Sequence, residues 1–139
     1  MRSFAISSRP AELPWLEFEL PAPPSVNRFM GKLGNRSPIV RKWVVQADMA
    51  FMCAKAWKKG DFTKIKCAYE AEFIFGRRAN SDLDNRIKPL MDYLQRIQII
   101  ENDRMCERIE VNWERIGSRP GRWIAPGRVL VRLRPWMAP

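Results

Sequence analysis

The sequence predicts an α+β domain: a mixed β-sheet with two main helices, in the order β-α-β-α-β-β, with the two last strands adjacent. Three observations carry this. Short runs of alternating apolar and polar residues mark strands. Two longer segments repeat apolar residues every three to four positions and mark helices. The length of 139 residues suits a single domain with one core. Residues 1–12 read as a loose leader to that domain, 1–139.

Each element has its own local reason. Trp15, Phe18 and Leu20 with Glu17 and Glu19 between them read as a first strand, which Pro21, Pro23 and Pro24 end. A glycine-containing basic loop follows over 25–38. Ser37 and Pro38 form a helix start, with Ser at the N-cap and Pro at the first helical position. Val40, Trp43, Val44, Ala47, Ala50, Phe51, Ala54 and Trp57 then recur at helical spacing, and Gly60 supplies a stop, so a helix is expected over 39–58. Tyr69, Ala71, Phe73 and Phe75 alternate with Glu70, Glu72 and Ile74 as a strand. Ile87, Leu90, Met91, Leu94 and Ile97 define one face of a second helix, with Pro89 expected in its first turn. Ile109, Val111 and Trp113, then Val129, Val131 and Leu133, mark the two late strands.

Composition narrows the chemistry. The chain has no histidine, which excludes Ser-His-Asp and Cys-His catalysis, Cys₂His₂ fingers and HExxH proteases. A general base must then be a carboxylate, Lys, Tyr or an activated water. The three cysteines, Cys53, Cys67 and Cys106, form no CxxC pair and suit free thiols in a reducing cytosol. Neither a signal peptide nor a membrane-length apolar run is evident, so a cytoplasmic protein is expected. No GxxxxGK[ST] motif is present.

Lys and Arg number 25 against 15 Asp and Glu, a net charge of +10. Arg outnumbers Lys, and its guanidinium fork matches phosphate oxygens, so a polyanion such as nucleic acid is the expected partner. The charge is uneven. Asp82, Asp84, Asp92, Glu101 and Asp103 outweigh Arg86, Lys88 and Arg96, so residues 82–103 form an acidic island in a basic chain. Carboxylates facing a phosphate backbone repel it unless a divalent cation joins them.

The sharpest element is Ser81-Asp82-Leu83-Asp84-Asn85 at a strand-to-helix junction. In an extended chain Asp82 and Asp84 share a side, ~6.6 Å apart. Mg²⁺ suits such a pair, since it takes one or two carboxylates and keeps waters and phosphate oxygens. The same Asp-x-Asp also serves as an N-cap and a helix-dipole partner. Lys88 follows Asp84 by four residues, as a cation beside a metal or as a surface ion pair. Asp103 after Asn102 is either a further ligand or an ordinary turn residue.

Taken together, Asp82-Leu83-Asp84-Asn85, then Lys88, then Asp103, resemble the RusA family of Holliday junction resolvases. The loop Pro23-Pro24-Ser25-Val26-Asn27 is similar to that family's PPSxN element, and the similarity runs from about Leu13 to Trp113. The resemblance implies a RusA-like fold and a small Mg²⁺-dependent endonuclease, with Mn²⁺ as a substitute. It implies a homodimer that nicks symmetrical strands of four-way DNA junctions in recombination and repair. It implies Asp82, Asp84 and Asp103 as metal-binding catalytic carboxylates and Lys88 as the catalytic lysine. Asn85 would orient a carboxylate or cap the helix. Candidate DNA contacts are Asn27, Arg28, Lys32 and Arg36 in the first loop, Arg77 and Arg78 before the acidic motif, and Arg86. Trp43, Phe51, Met52 and Trp57 on the first helix would divide between core and a twofold interface. Two other readings stay open: a structure-tolerant nuclease of flaps and forks, and a non-catalytic basic DNA-binding protein. A nucleotide-sugar transferase also uses Asp-x-Asp, but the chain is short and basic for that activity.

Overall fold

Alternating side chains in the strands and apolar stripes on the helices produce a two-layer structure, one sheet with two helices on one face. It is a computed structural model that describes residues 14–25, 38–58, 62–77, 83–115 and 123–137. The elements are β1 (Leu16–Pro21), α1 (Pro38–Lys58), β2 (Tyr69–Phe75), α2 (Asp84–Arg96), a 3₁₀ turn (Asp103–Met105), β3 (Cys106–Trp113) and β4 (Arg128–Pro135). This is the α+β class and the element order expected. Among the described residues, no helix is long and apolar enough to cross a membrane.

The strand order corrects one expectation. The four strands lie in the order β1-β4-β2-β3, so β3 and β4, consecutive in sequence, are not neighbours. β4 inserts between β1 and β2, antiparallel to both, while β2 and β3 run parallel. The reason is connection length. β2 and β3 are joined through α2, the crossover a parallel pair needs. The Gly/Pro-rich segment after β3 then carries the chain to the far side of β2. The two central strands are the most buried, and β3 is an edge strand with Glu107, Arg108 and Glu110 along it. Charges on an edge strand discourage pairing with another chain.

The inner sheet face and both helices form the core. Phe18, Leu20, Phe73, Phe75, Val131 and Leu133 from the sheet meet Trp43, Ala47 and Phe51 from α1 and Leu90, Tyr93 and Leu94 from α2. Edge-to-face ring pairs link the layers: Phe18 with Phe51, and Trp43 with Tyr93. Tyr93 donates its hydroxyl to Asp48 at 2.7 Å, joining α2 to α1. Thus Trp43 and Phe51 are core, whereas Met52 is 68% exposed. The side chain of Trp57 lies outside the described residues, as does Ser37.

The outer sheet face is a charge ladder. Cross-strand register sets Arg132 opposite both Glu17 and Glu72, and Glu70 opposite Arg108 and Arg134. Arg132 donates to Glu17 at 2.6 Å and to Glu72 at 2.5 Å, and Glu70 accepts from Arg108 and Arg134 at 3.0 Å. Trp15 stacks against the guanidinium groups of Arg132 and Arg134. These arginines are therefore engaged by carboxylates and add little to the field that would attract a polyanion. Removing Arg132 leaves two largely desolvated carboxylates side by side. Arg132→Ala is expected to cost about 2–3 kcal/mol in urea denaturation, below the full penalty for a broken buried pair because the face is partly wet. Adding Glu72→Gln to that variant should recover part of the loss.

Tyr69 and Tyr93 are the chain's two tyrosines, and both are buried. Burial pushes both phenols well above their ordinary range. The Cys106 thiol and the Asp103 carboxylate add to this at Tyr69, and the Asp48 carboxylate adds to it at Tyr93. The folded state thus keeps protons that the unfolded state releases above pH ~10. The stabilisation is complete below that pH and declines as pH rises further. An alkaline titration should show no tyrosinate absorbance before unfolding, then one cooperative rise coincident with loss of far-UV circular dichroism. A separate, non-cooperative tyrosinate step in the folded protein would contradict this.

Candidate active site

The site is assembled at the exposed face of α2 and the turn that precedes β3. α2 begins at Asp84, but Leu83 already has helical backbone angles (φ −68°, ψ −36°), and the Leu83 side chain provides no cap. This corrects one expectation, the place of Pro89. The Leu83–Asp84 backbone is helical rather than extended, and Asp82 lies outside the described residues. Pro89 lies in the second turn, so the ring sits inside the helix and Asn85 loses the backbone donor it would otherwise receive. A tight turn from the Arg86 N–H to the Leu83 carbonyl (3.0 Å) starts the helix. Asp84 is therefore not an N-cap. It stands exposed in the first turn, where the helix dipole favours an anion.

The two sequence motifs meet at this helix end. Arg86 donates a hydrogen bond to the carbonyl of Pro23, 63 residues away. Pro23 is buried, Ala22 donates to the Gly127 carbonyl at 2.8 Å, and Trp43 Nε1 donates to the Pro21 carbonyl at 2.9 Å. The Pro21–Ser25 segment is thus held against α1, α2 and the turn before β4. Arg86 anchors this loop as well as carrying charge. Asn85 is half-buried beside it, and Arg77 is exposed just past β2. Asp82, Arg78, Asn27, Arg28, Lys32 and Arg36 lie outside the described residues.

Lys88, one turn past Asp84, is 72% exposed, and its Nζ lies 2.9 Å from Asp92 Oδ1 and 3.7 Å from Asp103 Oδ2. The hydrogen bond it donates to Asp92 leads in holding its ammonium above the usual lysine range, with Asp103 adding to it. Lys88 and Asp103 are thus close to each other across a helix and a turn.

Asp103 is placed by local chemistry that begins in the core. α2 ends in a Schellman arrangement, with Gln98 N–H bonded to the Gln95 carbonyl, Ile99 N–H to the Leu94 carbonyl, and Gln98 at φ 62°. Ile99 and Ile100 then plunge into the core, and Ile65 bridges to Ile100 with backbone bonds of 2.8 and 3.1 Å on either side. Asn102 caps the 3₁₀ turn by accepting from Arg104 N–H at 2.9 Å. Gln95 Oε1 accepts from the Asp103 N–H at 3.3 Å. Asp92 and Gln95 are the site residues that motif reading omits. Asp92 carried a signal, its i,i+4 spacing from Lys88. Gln95 carried none, because its partner is a backbone group beyond the helix.

Among the described residues, no three His, Cys, Asp or Glu side chains are arranged to hold a metal ion. The donors near Lys88 are all carboxylate oxygens, a hard set suited to Mg²⁺ or Mn²⁺ rather than to zinc. With its phosphate and water ligands, Mg²⁺ needs only one or two protein carboxylates. Asp84 and Asp103 fit that demand chemically.

No family model matches the chain. The chain is similar to the crossover junction endodeoxyribonuclease RusA of Aquifex aeolicus (strain VF5). The two are 24% identical over 124 residues, which span 87% of this chain and 90% of that protein. The resemblance to the RusA family thus extends beyond the motifs to most of the chain.

Proposed function

We propose that this protein is an endonuclease that cuts four-way DNA junctions by paired phosphodiester hydrolysis, with Mg²⁺ or Mn²⁺ held by Asp84 and Asp103 together with Asp82. The observation that carries the reading is the approach of Lys88 to Asp103. A cation and a carboxylate from separate segments converge on an exposed surface of a chain with net charge +10. The relative's name supports the same substrate and reaction.

The divalent ion would polarise the scissile phosphate and lower the pKa of a bound water. The remaining work belongs to the chain. Lys88 places a fixed positive charge at the carboxylate cluster, where it stabilises charge developing on the phosphate oxygens. Gln95 and Asn102 fix the backbone of the Asp103 turn, so the carboxylate is presented without reorganisation. Arg86 ties the Pro23 loop to the helix end, and Asn27, Arg28, Lys32 and Arg36 would serve as phosphate-backbone contacts. Such contacts are salt-dependent and carry no base specificity.

The protein acts as a homodimer in this reading. Val45, Met49 and Met52 form an exposed apolar stripe on α1, on the side opposite its buried face. A twofold pair would cover that stripe and present two sites to a two-fold junction. Sedimentation that returns a monomer at working concentration would remove this part.

The decisive comparison is a four-way junction beside a linear duplex of matched sequence, with and without Mg²⁺. Paired symmetric nicks in the junction alone, dependent on the metal, are expected. Equal cutting of both substrates would leave a nuclease without junction selectivity. Absence of cutting of any branched DNA with Mg²⁺ or Mn²⁺ would leave a DNA-binding protein.

A further inference from the structure

Asp92 is a half-buried carboxylate in the middle of α2, with no role in the core and none in the reaction just described. Its contact with Lys88, at 2.9 Å, is shorter than the 3.7 Å contact between Lys88 and Asp103. The pairing has the less helix-stabilising of the two orders. An i,i+4 pair supports a helix best when the acid precedes the base, and here the base comes first. Helical side chains also lean toward the N-terminus, which would carry Lys88 toward Asp84 and the helix start. The observed ammonium instead points back along the helix, toward Asp92 and the Asp103 turn.

We infer that Asp92 is a positioning residue for the proposed cleavage. It draws the Lys88 ammonium away from the helix start and holds it beside Asp103, where it faces a bound phosphate. Because Asp92 takes the short hydrogen bond, the Asp103 carboxylate is not tied up in a close ion pair and stays available. Without Asp92, Lys88 either collapses onto Asp103 or swings toward solvent, and both remove it from the place where charge develops. This inference rests on the nuclease reading above.

The test combines two measurements on the full chain with Asp92→Asn, Asp92→Glu and Asp103→Asn. The first is the NMR resonance of the Lys88 side-chain ammonium and its adjoining methylene. These signals should shift more in Asp92→Asn than in Asp103→Asn, and Asp92→Glu should restore them in part. The second is single-turnover cleavage of a four-way junction with Mg²⁺. Asp92→Asn should lower the rate about ten-fold, the lower end for loss of a group that orients a reacting residue. Junction affinity and melting temperature should be preserved, and Asp92→Glu should recover most of the rate. Unchanged Lys88 resonances in Asp92→Asn would overturn the inference. So would shifted resonances with wild-type cleavage, or a rate loss matched by an equal loss of junction affinity, which marks a merely structural residue. If the wild type itself cuts no junction, the nuclease reading falls, and the resonance measurement alone then decides whether Asp92 holds Lys88.

Discussion

Asp103→Asn is expected to abolish metal-dependent junction cleavage, lowering the rate on the order of 10³-fold, while the protein folds and binds junctions as before. The substitution preserves shape and removes charge. The turn at Asp103 is held by groups that do not involve its carboxylate: the Asn102 cap, and Gln95 accepting from the Asp103 backbone N–H. The carboxylate's other described contact is the 3.7 Å approach to Lys88, which is 72% exposed and so contributes little to stability. The melting temperature should therefore stay within a degree or two, on the scale of a surface substitution. What is lost is a hard anionic oxygen for the divalent cation. Junction binding measured by gel shift without Mg²⁺ should be as tight or tighter, since a negative charge facing phosphate is gone. Cleavage by Asp103→Asn above a tenth of the wild-type rate would remove Asp103 from the cation site.

The second large effect is on stability. A Cβ at Gly76 would lie 1.9 Å from the carbonyl oxygen of Ala125, 2.5 Å from its carbon and 2.9 Å from the Ile124 oxygen. These are backbone atoms and cannot rotate away as a side chain can. Gly76→Ala must push residues 123–127 off the sheet. That segment seats Ile124, 1% exposed, on Ile74 and Leu130 in a second small core on the outer sheet face. Gly76 N–H also donates to the carbonyl of Arg128, the residue that follows this segment, at 2.9 Å. Overpacking that also opens an apolar cluster should cost about 2–5 kcal/mol. Gly127 provides the contrast. Its Cβ would meet nothing within 4 Å, so Gly127→Ala carries only the strain of φ +84°, about 1 kcal/mol. Urea denaturation of both variants checks this. Equal destabilisation would mean that the 123–127 segment is not packed against Gly76.

Much of the fold was legible because its signals are local. The alternation Tyr69-Glu70-Ala71-Glu72-Phe73 reports which side of a sheet each residue faces, and the structure has Tyr69, Ala71 and Phe73 in the core and Glu70 and Glu72 in the ladder. The apolar face of α2 is likewise read from spacing, since Leu90, Met91 and Leu94 fall on one stripe and are buried. Pro89 was misplaced by a turn because the helix already begins at Asp84 and holds the ring inside it, where the Asn85 carbonyl forgoes its backbone donor. The site was legible as a motif, with Asp84 and Lys88 spaced by one helical turn. Asp103 read as an ordinary turn residue until resemblance singled it out, and Gln95 was invisible.

Local spacing alone therefore determined the class of the fold, the faces of its strands and helices, and the Asp84–Lys88 face of the proposed site. Those properties follow from the periodicities of helix and strand, which any chain segment carries within itself. Tertiary structure alone decided that β4 enters between β1 and β2, that Arg86 holds the Pro23 loop, and that Asp103 comes to rest 3.7 Å from Lys88. Each joins groups far apart along the chain, and no local periodicity reports such a meeting. Burial of Ile99 and Ile100 and the pairing of Ile65 with Ile100 bring Asp103 to α2, so a packing event in the core sets the geometry of the surface site.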